Sequence, residues 1–94
     1  MRLSNTDKDL IIKIAKQHGV TSLSFFGSAA KGEEHQSSDI DLLVDFEQGR
    51  SLLDLVRLER ELKEEFKIDF DVLTPSSLHP KIRERVEKEK VSLY

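Results

Sequence analysis

Asp39-Ile40-Asp41-Leu42-Leu43-Val44-Asp45-Phe46 reads as a strand with two unlike faces. Ile40, Leu42, Val44 and Phe46 share one parity, and Asp39, Asp41, Leu43 and Asp45 share the other. Acids at alternate positions beside an apolar strand oppose strand formation, so they need a reason. On one strand, Asp39 and Asp41 place two carboxylates on the same face with α-carbons about 6.6–6.8 Å apart.

Working outward, Gly49 makes a turn, and Ser51 with Asp54 has the spacing of a capping box. Leu52, Leu55, Val56, Leu58, Leu62 and Phe66 then mark an amphipathic helix. Ile68 to Leu73 alternates again, with Ile68, Phe70 and Val72 on one side and Asp69, Asp71 and Leu73 on the other, until Thr74-Pro75 ends the strand. Leu78, Ile82 and Val86 lie four apart within Ser77 to Lys90 and predict a last helix. Its dense mixed charge suits a solvated face or docking onto a partner. Upstream, Thr6 and Asp9 have the capping-box spacing, and Leu10, Ile11, Ile14, Ala15 and His18 recur at helical intervals until Gly19. Val20 to Phe26 is β-prone, and the polar stretch Ala29 to Ser38 reads as a loop. The order is α-β-loop-β-α-β-α, an α/β chain with no internal repeat. Strand order and direction stay open at this stage.

At 94 residues, one domain spanning 1–94 is expected. A net charge of −3 argues against nucleic-acid binding by bulk charge. No cysteine is present, so there is neither a disulfide framework, a thiolate zinc site nor a cysteine nucleophile, and a reducing cytoplasm fits. No apolar run approaches a membrane span, and MRLSNTDKDL lacks the layout of a signal peptide. His18, His35 and His79 are scattered without paired metal-ligand spacing and read as incidental.

Asp71 has the same character as Asp39 and Asp41, an acid opposite an apolar strand face, so three carboxylates can converge. Asp69 shares its parity and is the alternative third ligand. Clustered carboxylates raise one another's pKa and oppose folding unless a cation sits among them, and oxygen-only ligands point to Mg²⁺ or Mn²⁺. Gly27-Ser28, directly after the first strand, offers backbone N–H groups and a hydroxyl to a phosphate. Ser38, just before the acidic strand, is placed to touch a nucleotide or to cap the local backbone.

Phe26-Gly27-Ser28, then Gly32-Glu33, then Ser38-Asp39-Ile40-Asp41-Leu42-Leu43-Val44, then Asp71-Val72-Leu73-Thr74-Pro75 resembles the nucleotidyltransferases of the DNA polymerase β superfamily. The short length and the ending through Leu78-His79-Pro80 and Arg83-Glu84-Arg85 look like the minimal nucleotidyltransferases, the MNT-domain antitoxins paired with HEPN-domain toxins. That resemblance implies a polymerase β-like minimal fold, a small mixed sheet flanked by helices. It makes Gly27 and Ser28 the triphosphate-binding pair, with Lys31 and Ser38 beside them, and Asp39, Asp41 and Asp71 the ligands of two Mg²⁺ ions. Many members carry arginine at the positions of Ala29 and Lys31. Lys31 keeps a charge without a guanidinium fork, so lower nucleotide affinity is expected.

The resemblance also implies the reaction: transfer of AMP from ATP to a tyrosine hydroxyl of a HEPN-domain ribonuclease toxin, which is thereby neutralised in a hetero-oligomer. The rival reading is an antitoxin that silences its toxin by complex formation alone. A scaffold gains nothing from clustered acids, so the acids favour the enzyme.

Overall fold

Helix α1 (Asn5–Gln17) is opened by Ser4, whose hydroxyl accepts the Asp7 N–H at 3.1 Å while the Asp7 carboxylate accepts the Ser4 N–H at 3.0 Å, in a computed structural model that describes residues 3–26 and 40–94. The capping box therefore sits two residues before the Thr6/Asp9 pair with the same spacing. Leu3, just ahead of the cap, is buried in the core, and its burial fixes where the chain enters the helix. At the other end His18 is the C-cap and Gly19 takes a φ of +81°, a left-handed conformation that glycine adopts without steric penalty.

Strand β1 (Val20–Phe26) has the bounds expected from the sequence. It pairs antiparallel with β2 (Ile40–Phe46), with Phe26 opposite Asp41, Ser24 opposite Leu43 and Ser22 opposite Asp45. Helix α2 (Leu52–Phe66) opens with the Ser51/Asp54 capping box and ends at Lys67, the one non-glycine residue with positive φ among those described. It is the crossover to β3 (Phe70–Leu73), which runs parallel to β2 with Asp41 opposite Asp71 and Leu43 opposite Leu73. The strand is shorter than the expected Ile68–Leu73: Asp69 lends only its carbonyl, to the Ile40 N–H at 3.1 Å.

The last helix also begins later than expected. A 3₁₀ turn at Pro75–Ser77 and extended backbone at Leu78 come first, and α3 is Pro80–Glu89. Pro80 at the first helical position explains the shift, because its fixed φ suits a helix start. The His79 ring caps that start, Nδ1 accepting the Lys81 N–H at 3.2 Å. A fourth strand that the sequence reading lacked, β4 (Val91–Ser92), pairs antiparallel with β1 and completes the mixed sheet β3-β2-β1-β4.

One face of this sheet is the core. Leu23 and Phe25, Ile40, Leu42 and Val44, and Phe70 and Val72 are buried against Ile11, Ile14 and Ala15 of α1 and Leu58 and Leu62 of α2. Burying a side chain of this size contributes about 1.5–3 kcal/mol, so these alternating positions, rather than strand propensity, hold the register. His18 links the two helices, its Nε2 lying 3.1 Å from Glu61 Oε1; it is a structural bridge where the sequence suggested no role. Among the described residues no helix is long and apolar enough to cross a membrane.

Candidate active site

The face turned away from α1 and α2 carries two of the acids expected from the sequence, Asp41 and Asp71. Since register partners share a face, Phe26, Asp41 and Asp71 form one row across β1, β2 and β3. Neighbouring strands are about 4.8 Å apart, which brings the two carboxylate-bearing residues within reach of a common small ion. Asp41 is half-buried and Asp71 exposed, whereas their chain neighbours Ile40, Leu42, Phe70 and Val72 are all buried on the opposite face. The apolar neighbours thus aim the acids: sliding either strand by one residue would bury a carboxylate and expose the core.

The next row carries no charge. Leu43 and Ser24 are buried register partners, and Leu73 stands beyond them. Past Leu73 the chain is fixed by Ser77, whose hydroxyl donates to the Thr74 carbonyl at 2.7 Å, and by a 3.2 Å contact between the Thr74 and Ser76 hydroxyls.

Asp69 and Asp71 are distinguished by their surroundings. The Asp69 carboxylate is held by the Lys63 ammonium at 2.9 Å, while Asp71 shares the Asp41 row. Asp45 lies four residues along β2, exposed and opposite Ser22, apart from that row. Gly27, Ser28, Ala29, Lys31, Ser38 and Asp39 lie outside the described residues, as does His35. Phe26 is the residue whose place sequence reasoning left without a role. The signal was its position, the last of β1 and directly before Gly27-Ser28, but only the register with Asp41 puts it in the row.

Among the described residues no group of three or more His, Cys, Asp or Glu gathers as a metal site. The two acids that do face each other supply only hard oxygen donors, a set suited to Mg²⁺ or Mn²⁺ and not to a soft metal.

Residues 8–93 match the model of the nucleotidyltransferase domain. The chain belongs to that family. It is 48% identical over 89 residues to MJ0435 of Methanocaldococcus jannaschii, provisionally named a protein adenylyltransferase, covering 95% of this chain and 96% of that one. Against the protein adenylyltransferase MntA of Thermococcus cleftensis it is 37% identical over 79 residues, covering 84% and 80%. A solved structure provisionally named a minimal nucleotidyltransferase superposes with a TM-score of 0.85 at 36% identity, covering 94% of this chain and 90% of that one. The fold is also that of a chain in the structure of the tri-AMPylated Shewanella oneidensis HEPN toxin with its MNT antitoxin, TM-score 0.75 at 18% identity, covering 98% and 72%. The nucleotidyltransferase fold thus accounts for the mixed sheet, and this chain is a nucleotidyltransferase of the minimal type.

Proposed function

We propose that this nucleotidyltransferase moves AMP from ATP onto a tyrosine hydroxyl of a HEPN-domain toxin and so acts as its antitoxin. The observation that carries the reading is the pairing of Asp41 with Asp71 on one sheet face, beside the end of β1 where Gly27-Ser28 follows. The names of the relatives support the nucleotide and the protein acceptor, and the Shewanella complex supports the partner class.

Asp39, Asp41 and Asp71 would hold Mg²⁺ through their carboxylate oxygens. When bound, the metal would supply charge neutralisation for the triphosphate and activation of the attacking hydroxyl. Gly27 N–H and the Ser28 hydroxyl would hold the phosphates, with Lys31 and Ser38 alongside. Asp71, at the edge strand, would receive the tyrosine proton. The tyrosine oxygen forms its bond to the α-phosphorus as the α–β bridge breaks, and pyrophosphate leaves with the electron pair. No covalent enzyme intermediate is needed, and the chain's contribution is position and charge. Residues 1–94 would act as one unit in the cytoplasm, where ATP is available and a chain without cysteine loses nothing.

The test is label transfer from ATP tagged at the α or the γ phosphate, with Mg²⁺ and a candidate HEPN-domain partner. Label from the α position alone, lost in Asp41→Asn, supports the reading. Label from the γ position makes the enzyme a kinase and overturns it. A toxin silenced with no label at all hands the function to complex formation.

A further inference from the structure

The first two turns of α2 depart from the pattern of a surface helix. Leu52, Leu53 and Val56 are 74%, 54% and 52% exposed, although the same helix buries Leu58 and Leu62 completely. At 3.6 residues per turn, Leu52, Val56, Arg60, Leu53 and Arg57 fill an arc of about 140° on the side opposite Leu58 and Leu62. Scattered exposed leucines are ordinary, but three large aliphatics in a little over one turn form a contiguous patch.

The charges beside the patch are as distinctive. Arg57 and Arg60 are exposed, and among the described residues neither is joined to a carboxylate in an ion pair. Asp54, one turn before Arg57, is bound by Arg50 at 3.3 Å and feels Arg57 only through space. Lys63 lies on the same arc but its ammonium is held by Asp69. A chain with net charge −3 thus carries an aliphatic patch flanked by two guanidiniums that no carboxylate among the described residues pairs. Apolar centres with arginine beside them are what protein interfaces favour.

We propose that this face of α2 is the docking surface for the acceptor protein, which meets it with aliphatic side chains flanked by carboxylates. The proposal rests on the functional reading above, in that the partner is the protein receiving AMP. Charge decides between occupants. Antiparallel pairing of α2 with its copy would bring four guanidiniums together, with only Glu64 of each copy on the same arc to offset them, and like charges held close oppose association. An acidic surface satisfies both arginines. Because α2 covers the core face of the sheet and the Asp41–Asp71 pair lies on the other, an acceptor held at the patch must reach round the β3 edge to bring its hydroxyl to the row.

The experiment measures binding of a candidate HEPN-domain acceptor protein by titration calorimetry, beside ATP binding and α-label transfer. Three forms are compared: the wild-type chain, Leu53→Glu/Val56→Glu, and Arg57→Glu/Arg60→Glu. All positions are exposed, and an unchanged melt confirms that each variant folds. The expected result is a loss of at least about thirtyfold in affinity for each variant with ATP binding unchanged. Wild-type affinity in the aliphatic variant overturns the proposal. Loss in the aliphatic variant with retention in the arginine variant overturns the acidic partner chemistry. Loss of a wild-type self-association in place of partner binding gives the surface to a second copy. Absence of α-label on the partner, with docking and its loss in the variants intact, refutes the transfer reading alone.

Discussion

Asp41 and Asp71 stand opposite each other on neighbouring parallel strands, on the sheet face turned away from α1 and α2. Like charges placed directly across a sheet destabilise it by about 0.2–1 kcal/mol. Without metal, Asp71→Asn is therefore expected to raise stability by about 0.5 kcal/mol while removing AMP transfer about a thousandfold. Urea unfolding in a chelator and α-label transfer read the two effects. A variant that loses stability in chelator would assign Asp71 a structural role.

Ligand binding gives a second, independent reading. A ligand that binds only the folded state at a hundred times its Kd contributes about 2.7 kcal/mol, enough to raise the Tm of a chain this size by roughly 10–20 °C. The wild-type melt should move up with Mg²⁺ and ATP together, and Asp41→Asn should abolish the shift. An unmoved wild-type melt would mark an idle nucleotide fold.

Much of this site was legible because two periods coincide in it. The alternation along Ile40–Phe46 fixed which residues of β2 face the core, and the Ser51/Asp54 box fixed where α2 starts. The parallel pairing that sets Asp71 against Asp41 was not legible, since it is a long-range contact made through the α2 crossover. At the N-terminus the sequence offers two boxes of equal spacing, and burial of Leu3 decides for Ser4. Strand β4 is two residues long, too short for any alternation, and exists through its pairing with β1. Asp69 and Asp71 were indistinguishable by parity; the Lys63 ammonium separates them.

Gly19 should tolerate no side chain. Its φ of +81° strains any L-residue, and an added Cβ would run into the Arg50 guanidinium. That guanidinium is fixed by Glu47 at 2.7 Å and Asp54 at 3.3 Å, and the Gly19 carbonyl accepts the Glu47 N–H at 2.8 Å. Gly19→Ala is expected to lower stability by about 1–3 kcal/mol through strain and a displaced Arg50. Chemical denaturation checks this, and a change under about 0.5 kcal/mol would mean the turn relaxes at no penalty.

Acid should loosen the start of α2. The Ser51 N–H bonded to the Asp54 carboxylate at 2.8 Å, then Arg50 beside it, hold the Asp54 pKa below its ordinary value. A group with a depressed folded pKa contributes stability above its unfolded pKa and loses it as pH falls through the folded value. Stability should therefore decline below about pH 4, and Asp54→Asn should flatten that decline while lowering stability at neutral pH. Melts between pH 7 and pH 3 compare the two; parallel curves would exclude Asp54 as a source of the slope.

Tyr94 closes the sheet by its side chain as well as its backbone. Its hydroxyl donates to the Val20 carbonyl at 2.9 Å, its N–H donates to the Leu23 carbonyl at 3.2 Å, and its own carbonyl accepts the Leu23 N–H at 3.0 Å. The Lys16 ammonium sits 5.0 Å from the ring centroid, which ties α1 to the same residue. Tyr94→Phe keeps the ring and removes one donor, so a loss of about 1 kcal/mol is expected. Burial raises the phenol pKa. A raised folded pKa means stability that is complete below the unfolded value near pH 10 and is lost as pH rises through the folded one. The alkaline decline seen in the wild-type melt should be shallower in Tyr94→Phe, and an identical decline in both would exclude the phenol as a source of that slope.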